Sequence, residues 1–187
     1  MNLKIIICGV GGQGVLYFAK NLYALAGLTK SKVLGSETHG MSQRGGSVVS
    51  HVKIGDYASP MVRRNTADLL FSLKAEETYP NLTFLGRGAT VIVNSPDTFR
   101  IDGEILEGLA RREIRLQTFD AGERARSLGN PAAANLVLLA RAVDKGWLPF
   151  TPDQLKKAVT AVTAPSRLET GLKAIEAGMA RNSPYFQ

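Results

Sequence analysis

The stretch IIICGVGGQG, residues 5–14, decides the fold of this chain. An apolar run of strand length ends in a glycine-rich turn, and a segment with helical apolar spacing follows at once. This order is typical of the first β-turn-α unit of a nucleotide-binding α/β domain, and Gly9-x-Gly11-x-x-Gly14 fits the dinucleotide fingerprint. N–H groups at such a helix start favour an anion. A turn without any ligand needs the same glycines, so the motif leaves both interpretations open.

Strand-like and helix-like segments alternate along most of the remaining chain, and its carboxyl-terminal part is helical. We therefore predict one α/β domain over residues 1–187, with a Rossmann-like, mostly parallel sheet and C-terminal helices. An antiparallel hairpin is predicted to be inserted in this sheet. Its first strand is Ser47–Ile54, the turn is Gly55-Asp56, and residues 57–59 form the returning strand. A second strand is predicted only over residues 32–34.

Composition excludes several classes of protein. The formal charge of +7 comes from lysines and arginines that are spread along the chain, without the basic–aromatic pattern of nucleic-acid modules. No apolar run approaches the length of a membrane span, and the amino terminus enters a strand directly, so the expected location is the cytoplasm. The single cysteine, Cys8, lies in the apolar first strand and is predicted to be a buried small residue. One thiol cannot hold an iron–sulfur cluster.

A polar segment, residues 35–46, is predicted to be a long loop. It reads GSETHGMSQRGG and contains four glycines, charges of both signs and one of the two histidines. Long loops within compact domains are usually functional. This loop and the glycine turn should meet at the carboxyl edge of the sheet, which predicts a site or an interface there.

Three residues of the loop are candidates for chemistry. Glu37 lies close to the place of the ribose-binding acid of a Rossmann domain, although it could equally satisfy loop N–H groups. His39 and Glu37 could form a base with its orienting carboxylate, but no nucleophile motif accompanies them. The guanidinium of Arg44 could bind a carboxylate or phosphate in bidentate fashion, or form a salt bridge within the loop.

No metal site is predicted. His39 and His51, combined with Glu37 or Asp56, lack the spacing of recognised metal ligands.

The two loop motifs together resemble a known family. GVGGQG at residues 9–14, followed by ETHGMSQRGGSV at residues 37–48, is similar to the gamma subunit or domain of the 2-oxoacid:ferredoxin oxidoreductases. Within that family the similarity is greatest to the small, separate subunit of the indolepyruvate enzymes. Ala67-Asp68 at the start of one strand and Val93-Asn94 at the end of another agree with it. The resemblance covers nearly the whole chain and weakens after about residue 100.

The resemblance implies an activity and partners. Enzymes of this family decarboxylate a 2-oxoacid with thiamine diphosphate, transfer the acyl group to coenzyme A, and pass electrons through iron–sulfur clusters to ferredoxin. This chain would be the small subunit, binding none of these cofactors stably and inactive alone. The thiamine diphosphate and the clusters would belong to a larger partner subunit, and a homodimer is conceivable for the isolated chain. No nucleic acid or membrane partner is expected.

The resemblance also implies site residues. Supporting catalytic roles fall on Glu37, His39 and Arg44. The implied cofactor-binding residues are those of the two loops: Gly9, Gly11, Gly12, Gln13, Gly14, Ser42, Gln43 and Gly45. The acidic segment that the family carries after the Asp68 strand would correspond to Glu76 or Glu77, with the register left open.

Two other functions stay open at this point. The glycine spacing is compatible with a self-sufficient dinucleotide-binding oxidoreductase. The chain could also be a non-catalytic interaction protein with a degenerate site.

Overall fold

The computed structural model describes residues 1–39, 45–96 and 100–180. Six strands form one sheet in the order β2-β3-β1-β4-β5-β6. Strand β3 is antiparallel to both of its neighbours, whereas β4 is parallel to β1, β5 to β4 and β6 to β5. The predicted α/β class with a mostly parallel sheet is thus confirmed. The strands are β1 (Leu3–Val10), β2 (Val33–His39), β3 (Ser47–Ile54), β4 (Ala67–Ser72), β5 (Leu85–Asn94) and β6 (Arg115–Phe119).

Helices cover both faces of this sheet. One face packs against α1, α4, α5, α6 and α7, and the other against α3 and the short helical turns after β4. None of the described helices is long and apolar enough to cross a membrane. The helices are α1 (Val15–Leu28), α2 (Thr78–Asn81), α3 (Gly103–Arg111), α4 (Ala121–Ser127), α5 (Ala134–Asp144), α6 (Pro152–Val162) and α7 (Pro165–Met179).

The central position of β1 explains its unbroken apolar sequence. Ile5 and Ile7 point into the core beneath α1, whereas Ile6 and Cys8 point into the core on the opposite face. All four side chains are fully buried. Because successive side chains of a strand alternate between faces, a strand covered on both sides must be apolar throughout. Each such aliphatic side chain contributes about 1.5–3 kcal/mol of burial free energy.

The predicted hairpin was wrong in its extent. Residues 57–59 form no strand, and β2 continues through residues 35–39, which were predicted to be loop. The reason is that β3 is paired along both of its edges. On one side it pairs with β2, from Val33↔Ile54 to His39↔Val48, and on the other side it pairs with β1. With both edges of β3 occupied, no edge remains for a returning strand. The antiparallel hairpin is therefore β2–β3.

His51 lies buried in β3 on the face away from α1. Its Nδ1 accepts a hydrogen bond from the backbone N–H of Val62 at 3.2 Å. Its ring meets Phe84 edge-on, with 5.2 Å between the ring centroids. Burial, followed by the nearby charge of Lys53, lowers the pKa of His51. The neutral imidazole is therefore the form that the fold requires, because protonation would remove the acceptor of the Val62 N–H.

We expect the free energy of unfolding to decrease as the pH falls below about 6.5, the histidine pKa in an unfolded chain. A lowered folded-state pKa gives stability that is complete above that value and is lost towards acid, by at most about 1.4 kcal/mol per pH unit for one proton. His51→Asn retains an acceptor for Val62 but does not titrate. Urea unfolding between pH 5 and 8 should show a smaller slope for the variant. Because His39 is present in both proteins, equal slopes would contradict the role of His51.

Candidate functional site

The glycine turn lies at the carboxyl edge of the sheet, as the sequence predicts. Here β1 ends at Val10, β4 at Ser72 and β5 at Asn94, and α1 begins directly after Gly14. Gly46, which directly precedes β3, lies at the same edge because β3 runs antiparallel to β1. Open α/β sheets bind ligands at this edge.

Three N–H groups of the turn have acceptors within the chain. The N–H of Val10 donates to Gln13 Oε1 at 2.9 Å. The N–H of Gly11 donates to the Gly46 carbonyl at 2.9 Å, and that of Gln13 to the Val10 carbonyl at 3.1 Å. A dinucleotide pyrophosphate would have to compete with these bonds for the turn. At these three N–H groups the arrangement argues against a pyrophosphate contact, whereas the start of α1 has no side-chain cap.

Close approach of the chain itself explains two of the glycines. Gly14 precedes α1 with φ of 81°, a left-handed conformation, and a Cβ there would overlap the Asn135 side-chain amide. A Cβ on Gly9 would lie 2.8 Å from Gln13 Oε1. Both positions therefore need glycine for packing within the chain, whether or not a ligand binds.

Two asparagines of this edge were missed by the sequence analysis as site residues. Asn135, at the start of α5, donates from Nδ2 to the Gln13 carbonyl at 3.1 Å and is 6% exposed. Asn94, at the end of β5, donates from Nδ2 to the Leu73 carbonyl at 3.1 Å. A polar amide at the end of a buried strand is the sequence signal that could have identified Asn94.

Glu37 and His39 lie on β2, two strands away from the glycine turn. The register aligns His39 with Val48 and Gly9, a separation of about 10 Å across two strand spacings. Glu37 lies two residues further from the edge. Burial, and then the nearby charge of the Glu37 carboxylate, raises the pKa of Tyr23. The backbone of His39 is part of β2, but its side chain lies outside the described part of the structure.

Ser42, Gln43 and Arg44 lie outside the described residues. Gly45, which follows them, has a left-handed φ of 74°.

The stem of this loop contacts the acidic segment after β4. Ser47 Oγ donates to Glu77 Oε2 at 2.6 Å. Cys8 Sγ donates to the Glu77 carbonyl at 3.3 Å. Glu77, and not the exposed Glu76, is therefore the acidic residue that reaches the carboxyl edge.

A cavity of about 630 Å³ lies beside the glycine turn. Two helices, α1 and α7, begin at its wall, and neither has a side-chain cap or an acidic residue in its first turn. Helix N-termini of this kind favour anions. The polar residues of the wall are Tyr17, Asn130, Asn135, Thr163, Arg167 and Thr170.

A second groove of about 390 Å³ adjoins the turn and shares Gly12, Gly14 and Tyr17 with this cavity. Val10, Val48 and Leu16 give it an apolar floor, and Lys20 adds one charge. Leu16 is 36% exposed although it belongs to the first turn of α1. One exposed apolar side chain next to half-buried Val10 and a hydrogen-bonded turn is compatible with a protein–protein contact.

The described residues offer no metal or cluster site. No group of three or more histidine, cysteine, aspartate or glutamate side chains within residues 1–39, 45–96 and 100–180 could hold an ion. Cys8 is fully buried, and burial raises the pKa of its thiol to about 12. Its thiolate is therefore not available as a ligand.

Comparison with known proteins identifies relatives over nearly the full length. The model of the pyruvate ferredoxin/flavodoxin oxidoreductase family matches residues 4–181. The chain is 30% identical to the indolepyruvate oxidoreductase subunit IorB of Archaeoglobus fulgidus, with 95% of this chain and 94% of the relative covered. It is 31% identical to the IorB subunit of Thermococcus kodakarensis, with 94% of each chain covered.

Solved structures share the fold. The gamma subunit of a keto/oxoacid ferredoxin oxidoreductase from Geobacter sulfurreducens has a TM-score of 0.74 at 22% identity, with 95% of this chain and 96% of that chain covered. A 2-oxoglutarate:ferredoxin oxidoreductase from Magnetococcus marinus, solved with 2-oxoglutarate, coenzyme A and succinyl-CoA, has a TM-score of 0.75 at 19% identity. The matched region covers 95% of this chain and 30% of that longer chain.

We expect Gly14→Ala to destabilise the protein by more than about 2 kcal/mol, from left-handed strain together with overlap on Asn135. The matched control is Gly129→Ala. Gly129 has a similar φ of 72° and open space around its Cβ position, so its substitution should cost only about 1 kcal/mol of strain.

In an Asn135→Ala background, Gly14→Ala should cost about as much as the Gly129 control, because the overlapping amide is gone. Chemical denaturation of the four proteins of this cycle measures the coupling. An unchanged cost of Gly14→Ala in both backgrounds would contradict the packing described for the turn.

Proposed function

Because the chain belongs to the pyruvate ferredoxin/flavodoxin oxidoreductase family, we propose that it is the small subunit of a 2-oxoacid:ferredoxin oxidoreductase acting on indolepyruvate or another aryl-pyruvate. The observation that carries the proposal is the match over residues 4–181, together with similarity to IorB subunits over nearly the full length. The assembled enzyme would oxidatively decarboxylate the 2-oxoacid, form the acyl-CoA and reduce ferredoxin.

The thiamine diphosphate and the iron–sulfur clusters belong to a larger partner subunit in this proposal. A four-thiolate cluster does not fit a chain whose single cysteine is buried in β1. The described residues also lack a carboxylate–histidine cluster for a cofactor's metal ion. This chain would support the chemistry from outside the cofactor site.

The partner would dock on the carboxyl edge. The glycine turn is held in one conformation by its own hydrogen bonds, and Leu16 is exposed beside it. A preformed surface keeps the ordering cost of association small. The loop that carries Ser42, Gln43 and Arg44 begins and ends at this edge, next to His39 and Gly45.

Coenzyme A would contact the same edge. The uncapped starts of α1 and α7 line one cavity together with the residue Arg167, and this combination suits phosphate groups. Gly12 and Gly14 lie in the cavity wall, in agreement with their implied cofactor-binding role. Arg44 would supply a second cation from the loop, with His39 and Glu37 in supporting positions.

We expect the purified chain to show no 2-oxoacid oxidation and the complex with its larger subunit to show it. The assay measures ferredoxin reduction with indolepyruvate and coenzyme A, using the chain alone, the larger subunit alone and both together. Turnover that requires both subunits supports the proposal. Activity of the isolated chain, or equal activity of the larger subunit without it, would overturn the proposal.

Within that complex, Arg44→Ala should lower turnover by about tenfold to a hundredfold without loosening the complex, because it removes a charged hydrogen-bond donor. Arg64→Ala is the control, since Arg64 is exposed in the connection before β4, far from the carboxyl edge. Equal turnover of both variants would favour the non-catalytic interaction protein.

A further inference from the structure

The side chain of Gln13 is committed to bonds within the chain. Its Oε1 accepts from the N–H of Val10 at 2.9 Å, and its Nε2 donates to the carbonyl of Leu73 at 3.2 Å. The first bond lies within the glycine turn, and the second reaches the residue that follows β4. One amide therefore joins the ends of two neighbouring parallel strands, and it does so with both of its polar atoms.

The Leu73 carbonyl is shared with a second amide. Asn94 Nδ2 donates to it at 3.1 Å from the end of β5. Asn94 Oδ1 accepts from the N–H of Gly122 at 3.0 Å, at the start of α4. The backbone of Leu73 also donates to the Cys8 carbonyl at 2.8 Å. The ends of β1, β4 and β5 and the start of α4 are thus joined by one continuous set of hydrogen bonds.

The backbone of Gln13 is held as well. Its carbonyl accepts from Asn135 Nδ2 at 3.1 Å, and its N–H donates to the Val10 carbonyl at 3.1 Å. Gly9 lies so close to Oε1 that a Cβ there would approach it to 2.8 Å. Held by these contacts, the amide cannot turn towards a ligand without breaking at least one of its two bonds.

From these contacts we propose that Gln13 is a positioning residue, which fixes the glycine turn against the end of β4 and touches neither substrate nor coenzyme A. The turn then presents one preformed shape to the larger subunit. The part of this inference that concerns turnover rests on the function proposed above. The part that concerns the bridge between the turn and Leu73 can be measured on the isolated chain.

Gln13→Glu is the diagnostic variant because it keeps the shape and one acceptor oxygen. At alkaline pH the second carboxylate oxygen faces the Leu73 carbonyl, so a donor is replaced by repulsion between two acceptors. On protonation the carboxylic acid regains an O–H donor for that carbonyl. The folded state favours the neutral acid, so the lost stability should return as the pH falls through the raised pKa of the substituted side chain.

We expect the melting temperature of Gln13→Glu to lie about 5 °C below that of the natural chain at pH 8, with the gap closing towards pH 5. The matched control is Gln154→Glu. Gln154 uses only its Oε1, which accepts from the Thr151 N–H in a capping box, and a glutamate serves equally well there. The control should show no pH-dependent gap. An equally small difference in melting temperature from the natural chain for both variants at every pH would contradict the proposed link between the turn and Leu73.

In the complex with the larger subunit, Gln13→Glu should lower kcat at pH 8 by about tenfold and recover towards acid, with the KM for coenzyme A changed by less than about twofold. A raised KM for coenzyme A with an unchanged melting temperature would make Gln13 a ligand contact and overturn the proposal. If the natural complex shows no turnover, the proposed function fails, while the melting-temperature profile still decides whether Gln13 bridges the two strands.

Discussion

Three backbone N–H groups at the end of β1 and in the turn, those of Val10, Gly11 and Gln13, find their acceptors within the chain, and the shape of the carboxyl edge depends on that arrangement. Gln13 accepts from Val10, and the Gly46 carbonyl accepts from Gly11. These bonds fix the turn to the start of β3 and, through Leu73, to the end of β4. An unpaired N–H here would cost more than the bond contributes, so the acceptors and the turn must fold together.

Because three N–H groups of the turn bond within the chain, the glycine motif has a packing role here in addition to any ligand-binding role. In a dinucleotide-binding domain the same spacing leaves N–H groups free for a pyrophosphate. Here the glycines make room for Asn135 and Gln13. The anion-favouring feature that remains is the cavity lined by Gly12 and Gly14, where α1 and α7 begin without side-chain caps and which Arg167 also lines. A turn held by hydrogen bonds with the exposed Leu16 beside it suits a subunit interface, and the relatives of this chain are named as oxidoreductase subunits.

The sequence predicted what is decided locally. The first strand, its glycine turn and α1 were predicted because an apolar run, a glycine spacing and a helical period lie next to one another. The extent of β2 was missed because its residues 35–39 are polar and become strand only through pairing with β3. The role of Asn135 was missed because its partner, Gln13, lies 122 positions away in the sequence. Glu37 lies at the expected sequence distance from the turn, but it is on β2, and strand β3 lies between β2 and β1.

Amide hydrogen exchange of the isolated chain tests most directly whether the turn is closed by its own groups. We expect the N–H groups of Val10, Gly11 and Gln13 to exchange slowly in the free chain and to be unaffected by NAD, NADP or FAD. Addition of the larger subunit should give new protection around Leu16. Rapid exchange at these three amides in the free chain, slowed by a dinucleotide, would contradict the account.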